Sequence, residues 1–399
     1  MEEPSAVPRG RPVWAEIDLD ALSANVSLLA ERAAPARLYA VVKANAYGHG
    51  AIACARAAVE AGASGLATVC VDEAVELRHA GVNAPILVVG QADVSESEQI
   101  VEETLTPTVT SMQMALALSR HAARLGRTQK IHVELESGLN RNGMPLDDLV
   151  ALAEGSRALP HIEVEGLYTH LAAAEEGDTG FTHQQHEALL EASRRLAWIP
   201  QRHISASASL LLSPEMRLDA VRAGLAVYGY HPAPETGTQE PLRRVLSLKT
   251  RVARVIDVDA GATVGYGRTW KAARPSRIAL LMCGYADGFV RALSGRAQVL
   301  VGGRRVPVAG RIAMDMCMAD VTDVSGVAPD DEAVIIGSQG RETIDADELA
   351  GLSGTISWEI LAGITARVPR YYLRGGRAVA RTTLNERVPV LVGELAVTG

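Results

Sequence analysis

Leu38-Tyr39-Ala40-Val41-Val42-Lys43-Ala44-Asn45-Ala46-Tyr47-Gly48-His49-Gly50 begins as an apolar run and ends in a glycine-flanked turn, with a lysine at the tip of the run. Leu38 to Val42 has the length and composition of a strand. The stretch that follows, Ala51 to Ala61, has helical spacing. The pattern then recurs. Further apolar runs lie at Gly65 to Val69, Pro85 to Val89, Leu105 to Val109, Ile131 to Glu136, Val164 to Thr169, His203 to Ser205 and Ala220 to Arg222. Helical patterns such as Glu73 to His79, Met112 to Leu125 and His183 to Leu196 separate them. Eight strands alternating with helices suggest an α/β fold, a parallel (β/α)8 TIM-like barrel over residues 14–240. The last two runs are weak when read alone, and a doubly wound sheet also fits the alternation.

After Pro241 the texture changes. Val245 to Val258, Ile278 to Cys283, Ala297 to Val301, Arg305 to Val308, Met318 to Val321 and Ala333 to Ile336 are short β-rich runs. Turn signals such as Gly302-Gly303 and Pro329-Asp330-Asp331 punctuate them. Residues 1–13 and 241–382 are therefore expected to form a mostly antiparallel β domain, with 383–399 a C-terminal tail lacking a clear pattern.

Composition narrows the function. The 399 residues carry a net charge of -8, which gives no support to nucleic-acid binding. No run of about 18 apolar residues could span a membrane. Met1 to Arg11 is polar and lacks the apolar core of a signal peptide. Cys54, Cys70, Cys283 and Cys317 show no CxxC spacing, which fits reduced thiols in a cytoplasmic protein and gives no metal site.

In a barrel, chemistry sits where strands end. A lysine there has two readings. Its stem can lie along apolar surface with the ammonium in water. Alternatively, partial burial lowers its pKa and prepares it for Schiff-base chemistry. Tyr47 and the flanking glycines then look like part of an anion site.

Val42 to Gly50 also resembles the cofactor-lysine motif of bacterial alanine racemases. Six more stretches resemble that family in its order. They are Gly166-Leu-Tyr-Thr-His170, Arg222-Ala-Gly-Leu-Ala-Val-Tyr-Gly229, Val264-Gly-Tyr266-Gly267, Gly284-Tyr285-Ala-Asp-Gly288, Gly310-Arg-Ile-Ala-Met314-Asp315 and Arg367-Val-Pro-Arg370. The resemblance spans roughly residues 14 to 373. It implies a fold type III pyridoxal 5'-phosphate enzyme, an isomerase in which a barrel precedes a β domain.

The resemblance also implies roles. Lys43 would hold pyridoxal phosphate and serve as one catalytic base. Tyr266 would be the other, its phenol made more acidic by a chain through His170 and Arg222. Tyr47, Ser207 and the N–H groups of Gly224 and Leu225 would bind phosphate. Read alone, Ser205 to Ser209 is an ordinary loop. Arg222 would face the ring nitrogen, with His170 and His203 beside it. Arg141 and the Met314 N–H would take the substrate carboxylate, and Tyr285 would line the entrance. Bases from two domains imply a head-to-tail homodimer with shared sites.

Several positions depart from the family. Glu134 stands where many members carry a carbamylated lysine, so it is expected to pair with Arg141 directly. Ala206, Ala223, Ala313, Ala366 and Leu139 replace other, often larger, residues. They leave open a substrate larger than alanine, such as serine. Other readings are a fold type III decarboxylase, a single-barrel pyridoxal-phosphate homeostasis protein and a non-catalytic regulatory homologue. Arg222 counts against the first, and the β-rich half with Tyr266 counts against the second.

Overall fold

The computed structural model describes residues 10–176, 179–233 and 240–391. These fall into two units. The first spans residues 21–46 and 51–243; the second joins 10–20, 47–50 and 244–391.

The first unit is a closed parallel barrel, which rules out the doubly wound alternative. Its strands, in chain order, are β1 (Arg37–Val41), β2 (Gly65–Thr68), β3 (Ile86–Gln91), β4 (Thr106–Thr108), β5 (Gln129–Glu134), β6 (Ile162–Tyr168), β7 (Gln201–His203) and β8 (Ala220–Ala223). Closure runs through β1 and β8, which pair from Arg37↔Ala220 to Ala40↔Ala223. Helices cover the outer face of these parallel strands and side chains fill the barrel interior, so strands buried on both faces read as continuous apolar runs. All four residues of β2 are buried. The covering helices include Ala51–Glu60, Val71–His79, Met112–Arg124 and Thr179–Arg195, close to the four patterns read from sequence. Leu146–Arg157 is a further helix that the sequence reading did not single out.

The second unit is a mostly antiparallel sheet around the long strand Leu246–Val258. That strand pairs with Ser276–Leu281, Glu332–Gln339 and Val13–Asp18. Gln298–Val301 and Arg304–Pro307 form a hairpin whose turn is Gly302-Gly303, with φ of 59° and 73°. Such a turn requires positive φ at both central residues, which glycine adopts without strain.

Three stretches differ from the sequence reading. Val13–Asp18, counted with the barrel from residue 14, is a strand of this sheet. It lies parallel to Arg370–Arg374, and its buried Val13, Ala15 and Ile17 meet the sheet's core. Residues 47–50 also group with the sheet. Val390–Leu391, read as patternless tail, pairs with Arg377–Thr382. The expectations for residues 1–9 and 392–399 lie outside the described residues.

Glycines mark where barrel strands come closest. A Cβ on Gly90 of β3 would lie 2.3 Å from the Val69 carbonyl oxygen, a backbone atom with little room to yield. Gly90→Ala should therefore cost about 1–3 kcal/mol, as overpacked cores do. The measurement is the urea midpoint, and an unchanged midpoint would mean that these backbones do not approach so closely.

Candidate active site

Lys43 follows β1 directly and is half-buried. Burial, then the Arg141 charge, pushes its ammonium below the usual lysine range, against an opposing pull from Glu73. The backbone here is unusual. Ala44, Asn45, Ala46 and Tyr47 all have φ between 51° and 53°, a left-handed turn made of residues with side chains. Each such residue costs roughly 1–2 kcal/mol. Neighbours pin the turn. Ala44 N donates to Glu73 Oε1 at 2.6 Å, and Ala51 N donates to Asn45 Oδ1 at 2.8 Å. Glu73 Oε2 also accepts from Val69 N and Cys70 N at 3.0 and 3.2 Å. One carboxylate thus ties the loop after β1 to the loop after β2.

Arg222 lies inside the barrel on β8, buried. Nη1 donates to His203 Nδ1; Nη2 reaches Thr169 O at 3.0 Å, His170 Nδ1 at 3.2 Å and Ile204 O at 3.4 Å. Its guanidinium carbon sits 4.9 Å from the centre of the Tyr168 ring. Burial, then Arg222, Arg141 and Lys43, push His170 down to about 3. Burial, then Arg222 and His132, hold His203 well below its usual range. Both imidazoles are neutral near pH 7 and accept from Arg222, which can only donate.

Ser207 begins the helix Ser207–Leu212. Its Oγ accepts from Gly224 N at 2.9 Å and Ala226 N at 3.3 Å, so Ser207, Gly224 and Leu225 come together at the ends of β7 and β8. Arg141 is exposed in the loop after β5, where its backbone N–H donates to Glu136 Oε2 at 3.3 Å.

The expected Glu134–Arg141 pair is not formed. Glu134 is buried at the end of β5, and Tyr168 Oη donates to its Oε2 at 3.1 Å. Burial raises its carboxyl above the usual range, against Arg222, the Tyr168 hydrogen bond and Arg141. The carboxylate serves the barrel interior, while Arg141 stands outside it.

The glycines of the lysine motif also differ from expectation. A Cβ on Gly48, at φ +80°, would lie 2.1 Å from Leu361 O, and one on Gly50, at φ +101°, would lie 2.1 Å from Tyr372 Oη. Arg370 Nε and Nη2 donate to Gly48 O at 3.1 and 3.0 Å. These glycines give close packing within the sheet unit rather than an anion cradle. Tyr47 belongs to the same unit and is buried.

The sheet unit presents the other three residues outward. Tyr266 is 72 % exposed, Met314 53 % and Tyr285 39 %. Tyr285 N donates to Ala313 O at 3.0 Å and Ala286 N to Met314 O at 2.9 Å, so the two loops run bonded side by side. Beneath them, buried Asp287 receives Arg11 Nη2 at 2.7 Å and Arg367 Nε at 3.1 Å. Of the substituted alanines, Ala206 and Ala313 are half-buried and Ala366 is exposed. The sequence reading missed Glu73, His132, Glu165 and Tyr168; nothing in their spacing marks them.

Residues 17–232 match the alanine racemase N-terminal domain, and residues 245–372 the alanine racemase C-terminal domain. The chain belongs to the alanine racemase family. An alanine racemase of Symbiobacterium thermophilum is 45 % identical over 366 residues, covering 91 % of this chain and 97 % of that protein. The alanine racemase structure from D-cycloserine-producing Streptomyces lavendulae superposes with a TM-score of 0.86 at 40 % identity, covering 92 % and 98 % of the two chains. That of Bacillus anthracis, with bound L-Ala-P, gives 0.88 at 36 % identity over 94 % and 99 %. As a member of the alanine racemase family, the protein is a pyridoxal-phosphate-dependent amino-acid racemase. The barrel's donor set fits that cofactor. It has an amine of lowered pKa for an aldehyde, a guanidinium for a ring nitrogen, and a hydroxyl among backbone N–H groups for a phosphate.

The strained turn gives a direct test. Ala44 is exposed, so Ala44→Gly removes the left-handed penalty without opening a cavity. Allowing for glycine's greater freedom in the unfolded chain, it should stabilise the protein by about 0.5–1 kcal/mol. A urea midpoint that falls would show that the turn is not held in this conformation.

Proposed function

We propose that the protein interconverts L- and D-alanine, with Lys43 and Tyr266 as bases on opposite faces of Cα. The observation that carries this reading is the barrel's pairing of a lysine whose pKa burial lowers with a buried arginine set among neutral acceptors. The relatives named above support alanine as the substrate, and give no support to a serine-directed enzyme or a non-catalytic homologue.

When bound, pyridoxal phosphate supplies an aldehyde for amines and a conjugated ring that accepts electron density from Cα. Lys43 Nζ holds the cofactor at rest and, once released, takes or returns the Cα proton on its face. Its lowered pKa makes the neutral amine accessible. Tyr266 Oη serves the opposite face. Arg222 would face the ring nitrogen and, because guanidinium does not release protons, would leave that nitrogen largely unprotonated. His170 and His203 hold Arg222 as acceptors. Tyr47, Ser207 and the N–H groups of Gly224 and Leu225 hold the phosphate. Arg141 grips the substrate carboxylate, aided by the Met314 N–H. Tyr285 lines the entrance. Glu134 supports the site from the barrel interior, through Tyr168.

The outward Tyr266, Tyr285 and Met314 support a head-to-tail homodimer in which each sheet unit serves its partner's barrel. The modules in this reading are a barrel over 21–46 and 51–243 and a sheet unit that joins 10–20, 47–50 and 244–391. The four cysteines form no disulfide, which supports a cytoplasmic location. No helix among the described residues is long and apolar enough to cross a membrane.

Lys43→Ala should abolish the covalently held cofactor, read as loss of its absorbance and of borohydride-fixed pyridoxyl label. A label surviving in the mutant would place the attachment elsewhere. Tyr266→Phe should keep the cofactor yet slow alanine racemisation about 10²–10⁴-fold, the usual worth of a general base. Wild-type exchange of the Cα proton from both enantiomers would remove Tyr266 as a base.

The dimer reading makes its own prediction. Mixing the inactive Lys43→Ala and Tyr266→Phe proteins, under conditions of proven subunit exchange, should restore activity. One hybrid site then contains both bases. No recovery would mean that each chain completes its own site.

A further inference from the structure

A line of polar groups leads through the barrel to Arg222, and the reading above does not use its outer members Lys130, Glu165 and His132. It starts at Lys130, near the beginning of β5, whose Nζ lies 2.5 Å from Glu165 Oε1 on β6. Glu165 Oε2 faces His132 Nε2 at 3.6 Å, longer than a hydrogen bond. His132 Nδ1 is 2.9 Å from His203 Nε2, and His203 Nδ1 is bonded to Arg222 Nη1.

The direction of every proton in this line follows from its last member. A guanidinium offers only N–H groups, so His203 Nδ1 must present a lone pair. Neutral imidazole has one N–H, so the His203 proton is on Nε2 and is donated to His132 Nδ1. The His132 proton is then on its own Nε2, aimed at Glu165. Burial keeps both rings neutral. The facing His132 and then Lys130 hold the Glu165 carboxyl down at about 2, so the line ends on a permanent negative charge.

The strand is shaped for this arrangement. A Cβ on Gly166 would lie 2.5 Å from both His132 Cε1 and Nδ1, so the imidazole occupies the space a side chain would need. On the other side, Tyr168 stacks on His203 with ring centres 4.7 Å apart and planes 9° from parallel. Glycine weakens a strand interior and marks a close approach. Here the approach is to one histidine.

We propose that Glu165, acting through His132 and His203, is a positioning residue that fixes the tautomer of His203 and so the direction in which Arg222 presents its N–H groups. This rests on the reading that Arg222 faces the cofactor's ring nitrogen. With the opposite tautomer, His203 would point an N–H at the guanidinium and push it out of register. The Glu165 charge is what favours one tautomer pair over the other.

The test reads the tautomers directly. In the full-length protein carrying ¹⁵N-labelled histidine, with cofactor and again after its removal, His132 and His203 should both show an unprotonated Nδ1 and a protonated Nε2. Glu165→Gln, which keeps the shape and removes the charge, should make His203 a mixture of tautomers. It should also shift the absorbance of bound cofactor and lower kcat about 10–100-fold, a range seen when groups behind an active site are removed, with KM changed less. Glu165→Asp, which restores the charge, should recover the wild-type imidazole pattern and part of the kcat. If Glu165→Gln is poorly folded, His132→Phe provides the same imidazole readout at His203. Unchanged His203 nitrogen signals in the folded variant, or a wild type with a protonated Nδ1 on either ring, would overturn the proposal. The cofactor-free arm does not depend on what Lys43 holds, so failure of the functional reading and failure of this inference are separable.

Discussion

Burying a guanidinium is the constraint around which the barrel is organised. Arg222 cannot shed its charge, so every N–H turned inward needs an acceptor, and leaving one unpaired would cost about 3–5 kcal/mol. The acceptors are two backbone carbonyls, of Thr169 and Ile204, and two imidazoles, of His170 and His203. The Tyr168 ring lies beside the cation, and Tyr168 in turn hydrogen-bonds Glu134 and Thr108. A TIM barrel normally fills its interior with branched apolar side chains. Here polar and aromatic groups, His203, His170 and Tyr168, gather around a single buried arginine.

The same logic explains why this interior holds histidines rather than more carboxylates. Neutral imidazoles satisfy the guanidinium without adding charge, and the adjacent cation and burial together keep them neutral. The carboxylates stand one step back: Glu134 under Tyr168, and Glu165 beyond His132. The negative charge that balances Arg222 is therefore held away from the face where a ring nitrogen would lie.

Much of the architecture was legible because barrel strands advertise themselves as apolar runs at regular intervals. Closure was expected, but the strand pattern alone left it open, since β7 is three residues long and polar at each position. Only its pairing with β6 and β8 makes it a strand. Val13–Asp18 was misread because its partners, Leu246–Val258 and Arg370–Arg374, lie hundreds of residues away in sequence. At the site, Lys43 could be found because it is a charge at the end of an apolar run, and Arg222 because its stretch resembles that of the alanine racemases. His132 and Glu165 could not. Ile131 pairs with Val164 and His132 with Gly166, so Glu165 is an extra residue in β6, and period-two reasoning fails across such a bulge. The Glu134–Arg141 pairing failed for a related reason: seven residues along the chain carried Arg141 out of the strand and into an exposed loop.

The vacancy at Gly166 has an evolutionary consequence. The imidazole of His132 and the missing side chain of Gly166 share one volume, so neither position can drift alone. A lineage that replaces His132 with a smaller residue leaves a hole that a methyl at 166 would fill; one that gains a side chain at 166 must give up the ring. Among homologues the two positions should change together, as paired occupants of a single space, while the neighbouring strand residues vary independently of both.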